Sequence, residues 1–387
     1  MHIDELTAWL RLGLTEGIGH DTARRLLAHF GSPAAVFEQS AFTLRDVVSA
    51  AQADALCSPP LTLATQVAHT QHWLQLSRDS VQHAVWPLGD AAYPQALLDA
   101  SDPPLLLYAQ GQLDAGLPPA VAVVGSRNPT PQGAQTAEQL GQALVEAGLC
   151  VVSGLALGID GAAHRGALQA ASSDGVATVA VVGTGLDRVY PRQHQALAQA
   201  IAAKGWLLSE YPLGTPPLAH HFPQRNRLIA ALGRGTLVVE AALRSGSLIT
   251  ADLALGMGRD VMAVPGSIHA PQSRGCHALI RQGAKLIETA QDVLEEWPDI
   301  FHNALSRRSG HVAVHLVASS SPAVVTIRDD TTDPLLSAMG HAPVSLEVLQ
   351  ARTGWDTSRL LSALLTLELE GSVARMPGGL YQRLGPR

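Results

Sequence analysis

Ala120-Val-Ala-Val-Val-Gly-Ser-Arg127 sets five apolar residues directly against a glycine, a hydroxyl and a guanidinium. A run this short, this uniformly apolar and this rich in valine suits a strand buried on both faces rather than a helix. An amphipathic stretch with helical spacing follows to Glu146, and Leu149-Cys-Val-Val152 is a second run of the same kind. The alternation continues through Val176–Val182, Trp206–Ser209, Thr236–Val239 and Val261–Val264, with helical stretches between them. Strands that alternate with helices and carry no polar face build a parallel sheet covered on both sides. Right-handed crossovers then make it doubly wound. The expected fold class is α/β, an extended Rossmann-like doubly wound parallel sheet.

Working outward, residues 1–82 read as a helical domain of helix-hairpin-helix/SAM-like type. Its Gly17-Ile-Gly19 turn precedes Thr22–Phe30, which has helical spacing. Such a turn either offers backbone N–H groups to a phosphate or simply closes a helical hairpin. The sheet domain is expected over 83–300. It begins with a Pro-rich passage, 83–118, read as a connector that ends in a short strand at Leu105-Leu-Leu-Tyr108. Residues 301–334, with Ser319-Ser-Ser-Pro322 and Asp329-Asp-Thr-Thr-Asp333, read as a linker. Residues 335–387 recover periodicity as two helices and a hairpin around Gly378-Gly379, the outline of a winged helix. Glu368 and Glu370 at the end of its second helix disfavour DNA as that module's partner.

The chain has 387 residues and a net charge of −7, which argues against a globally basic nucleic-acid binder. A local basic cleft remains compatible with that charge, because salt screens beyond about 10 Å. Cys57, Cys150 and Cys276 are too scattered for a zinc site and suit a reducing compartment. No apolar run reaches the ~18 residues of a membrane span, and the early acids of the N-terminus exclude a signal peptide. The expectation is a cytoplasmic protein with no membrane segment, no metal and no cofactor.

In an open parallel sheet, ligands bind outside the carboxyl ends of the strands. The segments that follow the strands here are Gly125-Ser-Arg127, Ser153–Asp160 with His164, Gly183-Thr-Gly-Leu-Asp187 with Tyr190-Pro191, Glu210-Tyr211, and Glu240 with Ser245–Thr250. Small residues, hydroxyls and helix-start N–H groups gathered on one rim make a groove suited to phosphate rather than a point site. Phe222-Pro-Gln-Arg-Asn-Arg227 adds an aromatic face and two guanidiniums, a chemistry that fits a phosphate with a base beside it. Neither GxGxxG after the first strand nor a P-loop string is present. Some assignments stay open at this level. The two arginines could instead form salt bridges at a helix start. Ser245 and Ser247 suit an N-cap as well as a phosphate. Asp160 and His164 suit an acid–base pair or an anchor of the fold. His220-His221 is a titrating pair at the groove or a loop pair.

In their order and number, these strings strongly resemble the DNA-processing protein A family, also called DprA or Smf. The resemblance is carried by Val123–Arg127, Ser153–His164, Gly185–Pro191, Phe222–Ile229, Val239-Glu-Ala241, Ser245–Ala251, Val264-Pro-Gly266 and Gly275–Ile280, and it spans residues 86–297. It implies a single-stranded DNA-binding protein of natural transformation that protects incoming strands and helps to load RecA recombinase, usually as a homodimer. A dimer contact is implied at Leu279, Ile280 and Lys285-Leu-Ile287. Carried over, Gly125, Ser126 and Arg127 contact phosphate, and Phe222 stacks a base. Arg225, Asn226 and Arg227 hold the backbone and neighbouring loops. Ser245, Gly246, Ser247 and Thr250 cradle another phosphate. The chain departs from the family pattern upstream of Phe222, where Leu218-Ala-His-His221 stands in place of a usual lysine. The competing resemblance is to nucleotide phosphoribohydrolases of the lonely-guy or lysine-decarboxylase-like type, echoed by Gly233-Arg-Gly-Thr236 and Glu240.

Overall fold

The structure is a computed structural model and describes residues 2–78, 80–172, 175–299, 333–340 and 343–384. The chain opens with helices α1 (Ile3–Leu14), α2 (His20–Phe30), α3 (Pro33–Phe37), α4 (Ala41–Leu44), α5 (Ala50–Cys57) and α6 (Leu63–Gln75). Ser32 and Ser40 cap the two short ones, and Ser49 forms a capping box with Gln52 at α5. Helix, Gly17-Ile-Gly19 turn, helix is the arrangement of α1 and α2, with Gly17 at φ +75°.

The sheet has nine strands: β1 (Gln82–Pro87), β2 (Leu106–Gly111), β3 (Ala120–Val124), β4 (Cys150–Ser153), β5 (Thr178–Val181), β6 (Gly205–Ser209), β7 (Gly235–Val238), β8 (Asp260–Ala263) and β9 (Lys285–Leu286). Their order is β1-β2-β6-β5-β4-β3-β7-β8-β9. From β6 to β9 every pair is parallel. The helices between them are α7 (Pro131–Glu146), α8 (Ile159–Gln169), α9 (Gln195–Lys204), α10 (His221–Leu232), α11 (Gly246–Gly256), α12 (Arg274–Arg281) and, after β9, α13 (Ala290–Glu295).

The Pro-rich passage differs from the expected connector. It carries β1, which pairs antiparallel with β2, and β2 pairs antiparallel with β6. Pro87 is tolerated because it ends a strand at the sheet's edge, where its missing N–H removes no central ladder bond. The doubly wound parallel sheet therefore carries an antiparallel margin.

The alternation of side chains along β3 shows why both faces had to be apolar. Val121 and Val123 are fully buried against Ala137, Leu140 and Leu144 of α7 and against Ile159 and Ala163 of α8. Ala122 and Val124 face Leu228, Ile229 and Leu232 of α10 and Ala251 of α11. Burying a side chain of this size contributes roughly 1.5–3 kcal/mol. The N-terminal helices share a core with the antiparallel margin, where Leu6, Leu10 and Trp73 pack with Val85, Leu106, Tyr108 and Leu207.

Residues 333–384 contain the winged helix, with helices Pro334–Met339, Leu346–Thr353 and Thr357–Leu369 and strands β10 (Val344–Ser345), β11 (Val373–Met376) and β12 (Leu380–Arg383). Gly378 and Gly379, at φ +83° and +73°, make the β11–β12 turn that two consecutive positive-φ residues favour. The segment expected as a linker, 301–334, lies outside the described residues as far as residue 332.

Candidate functional site

The sheet order places β3 between β4 and β7. The chain winds outward from β3 to β6 and then crosses back to β7, so the crevice beyond the ends of β3 and β7 is the topological switch point. The loop after β3 is threaded through a tight space. A Cβ on Gly125 would lie 2.7 Å from the Ile159 side chain and 2.9 Å from the Glu240 carbonyl oxygen, so only glycine fits without displacement. Ser126 N–H then donates to Glu240 O at 2.7 Å, and Ile159 N–H donates to Ser126 O at 3.1 Å. These bonds tie the β3 loop to the ends of β7 and to the start of α8.

A groove of about 470 Å³ opens at this crevice. Every residue assigned to DNA contact from the sequence except Arg227 lines it: Gly125, Ser126 and Arg127 on one wall, Phe222, Arg225 and Asn226 from α10, and Ser245, Gly246, Ser247 and Thr250 from the start of α11. Arg127 is exposed and enters no ion pair among the described residues, and its guanidinium lies 5.8 Å from the centre of the Phe222 ring. Arg225 forms the floor. It is buried, donates to Val181 O, and passes so close to Gly154 that a side chain there would collide with it. Burial lowers the Arg225 pKa to about 10, with Asp160 opposing that shift, so it remains charged at neutral pH. Its Nε has no hydrogen-bond partner among the described residues.

The third wall is the N-terminus of α11. Ser245 caps the helix, accepting from Ser247 N–H at 3.4 Å, and its Oγ lies 2.7 Å from Ser247 Oγ. The capping role and a place on the groove are thus held by the same residue. Helix-start N–H groups, hydroxyls and cations facing one cavity suit an anion, and an aromatic at its rim suits a flat ring beside that anion.

Four residues named from the sequence, Arg227, His221, His164 and Glu240, are placed away from the groove. Arg227 points to the opposite side of α10, where it forms a bidentate ion pair with Glu210 at 2.5 and 3.2 Å and lies 3.7 Å from Asp102. His221 is buried, stacked on Tyr211 at 4.0 Å with Nδ1 3.1 Å from Gly183 O, and burial holds its pKa below the ordinary value. Of the His220-His221 pair, the exposed member is His220. His164 is fully buried against Thr178, and Asp160, although it borders the groove, accepts from Gly154 N–H and Ala156 N–H, so these two anchor loop and helix. Glu240 is taken up by Thr130, accepting from its N–H at 2.9 Å and its hydroxyl at 2.6 Å. It borders a separate cavity of about 300 Å³ rather than the groove.

Sequence reasoning missed Arg244, and it placed Tyr190 on the ligand rim without giving it a role. Arg244 lines the groove, is exposed, and enters no ion pair among the described residues. Its signal was a position just before the Ser245 cap. Tyr190 lies beside Phe222 with ring centres 5.4 Å apart. The signal was an aromatic in a loop at the ligand edge of a chain in which aromatics make up only 4%.

Comparison with known proteins gives concordant matches. Residues 84–298 match the family model described as DNA recombination-mediator protein A, and residues 319–379 match the DprA winged helix domain. Protein Smf of Escherichia coli (strain K12) is 37% identical over 391 residues, covering 97% of this chain and 95% of that protein. The DNA processing protein DprA of Streptococcus pneumoniae is 49% identical over 222 residues, 57% of this chain and 77% of that protein. The X-ray structure of DNA processing protein A from Streptococcus pneumoniae superposes with a TM-score of 0.61 at 39% identity, covering 76% of this chain and 98% of that one.

Proposed function

The chain belongs to the DNA recombination-mediator protein A family, and from that premise we propose that it binds single-stranded DNA in the groove at the β3/β7 crevice. The observation that carries this reading is the convergence of Arg127, Arg225, Phe222 and the α11 N-terminus on one cavity. In the proposed mode, Gly125, Ser126 and Arg127 hold one phosphate and Ser245, Gly246, Ser247 and Thr250 hold another. Phe222 stacks a base, Asn226 holds the backbone between them, and Arg225 supplies a fixed positive floor. Arg227 supports α10 instead of touching DNA. None of these contacts reads a base edge, so binding carries little sequence preference. The protein acts in the cytoplasm as a homodimer, protects strands entering by transformation, and helps to load RecA onto them. The division into a helical domain (1–82), a DNA-binding sheet domain (83–300), a linker (301–334) and a winged helix (335–387) follows from the same reading.

A salt titration of oligo-dT against its duplex, followed by fluorescence anisotropy, tests it. The expected result is tighter binding of the single strand and a steep loss of affinity between about 50 and 200 mM salt. Phe222→Ala should weaken oligo-dT binding by about ten-fold, within the range of one lost stacking contact. Preferential binding of duplex, or unchanged affinity in a Phe222→Ala, Arg127→Ala double variant, would overturn the assignment.

A further inference from the structure

We propose that Tyr190 forms a second base-stacking subsite, so that the groove seats two adjacent bases of a single strand, one on Phe222 and one on Tyr190. This inference rests on the single-strand reading of the groove and extends it to a residue outside the lined cavity.

Most tyrosines of this chain are withdrawn from solvent: Tyr93, Tyr108 and Tyr381 are buried, and Tyr211 is stacked under His221. Tyr190 is 47% exposed, and with Phe42 it is one of the two aromatics among the large exposed apolar side chains. Its position sets it apart from Phe42, which lies on the remote helix α4. Tyr190 follows β5 at the ligand edge of the sheet, and its ring centre is 5.4 Å from that of Phe222 with the planes at 42°. Arg127 approaches the same Phe222 ring. Cation, ring and second ring therefore follow one another along one rim.

The loop that carries Tyr190 is anchored on both sides of the tyrosine. Asp187 Oδ1 accepts from Gly214 N–H at 2.8 Å, and Ser209 Oγ donates to Thr184 O at 2.7 Å. Gly185 N–H donates to Thr215 O at 3.2 Å, and beyond the tyrosine the His194 ring meets Leu155 O at 2.9 Å. An exposed aromatic on a mobile loop would lose much of a stacking contact to ordering, whereas this one is already ordered. Side-by-side rings tilted by 42° present two separate faces, as two neighbouring bases of an unpaired strand require. Stacking of this kind accepts any base, in keeping with a groove that holds phosphates without reading sequence.

The test compares the full chain and its variants on oligo-dT and on an abasic oligonucleotide of equal length, by anisotropy at fixed salt. The abasic strand keeps every phosphate and removes every stacking partner. The wild type should favour oligo-dT. Tyr190→Ala should lose about ten-fold on oligo-dT and nothing on the abasic strand, with Tyr190→Phe close to wild type. Equal losses on both strands would show that Tyr190 only props the phosphate-holding Arg127. A Tyr190→Ala loss on oligo-dT that disappears in a Phe222→Ala background would show that it only props Phe222, and unchanged oligo-dT affinity would show that no base reaches it. Each of these results overturns the second subsite while leaving the groove assignment intact. A wild type that binds neither strand would instead overturn the groove assignment itself.

Discussion

His164 lies fully buried, with Nδ1 2.7 Å from Thr178 Oγ1, while that hydroxyl lies 2.7 Å from Val151 O. A hydroxyl has one proton to give. Thr178 donates it to the carbonyl and so accepts from Nδ1–H, which leaves His164 Nε2 as an unprotonated nitrogen without a partner among the described residues. Protonation would place an N–H there with nothing to receive it, and burial lowers the His164 pKa to about 3. Because the folded value is depressed, the stabilisation is present above the unfolded pKa of about 6.5 and is lost as pH falls below it. Between pH 7.5 and 5 this amounts to about 2 kcal/mol, at about 1.4 kcal/mol per pH unit below 6.5. Urea unfolding at the two pH values should show that loss in the wild type and a clearly flatter dependence in His164→Leu. Some slope remains in that variant, since burial depresses His221 in the same direction. A variant with the undiminished wild-type slope would place the titration elsewhere.

At the scale of the element, α10 separates two environments. Phe222, Arg225, Asn226 and Ile229 stand at i, i+3, i+4 and i+7 and share the face that lines the groove. Gln224 and Arg227 fall on the opposite face, toward a cavity of about 540 Å³ that also contains Glu210 and Asp102. The aromatic and the arginines were legible in the sequence as a motif. Helical spacing alone would also have told the two arginines apart, had the helix start been known to lie at His221. The acidic partners were not legible, because Glu210 and Asp102 come from distant strand ends that only the fold brings to Arg227. Asp102 also binds Arg24 of α2 at 2.6 Å, so the network ties the N-terminal helices to α10. Glu210 is 6% exposed and Arg227 12%, so Arg227→Ala strands a buried carboxylate. The expected cost is about 3 kcal/mol, with partial recovery in Arg227→Lys, which restores the charge without the bidentate geometry. Denaturant unfolding reads the stability. Oligo-dT affinity of the folded Arg227→Ala protein should fall far less than that of Arg127→Ala.

For the molecule as a whole, the all-apolar runs of β3 to β8 identified the parallel sheet, because strands covered on both faces have no polar side to disguise them. The antiparallel margin escaped, since Trp86-Pro87 in β1 carries proline and its pairing with β2 is non-local. The winged helix is a separate case. Its core, built from Leu335, Met339, Leu349, Leu360, Leu364 and Tyr381 among others, includes no residue of the sheet. Its contact with the sheet domain includes Gln382 Nε2 donating to Gln132 Oε1 at 2.9 Å beside the small cavity at Glu240. No described residue of 333–384 lines the groove. A chain ending before residue 333 should therefore keep oligo-dT affinity within about two-fold of the full chain, as distant sites contribute independently. If affinity instead falls with the deletion, and returns when the winged helix is supplied in trans, that module takes part in holding the strand.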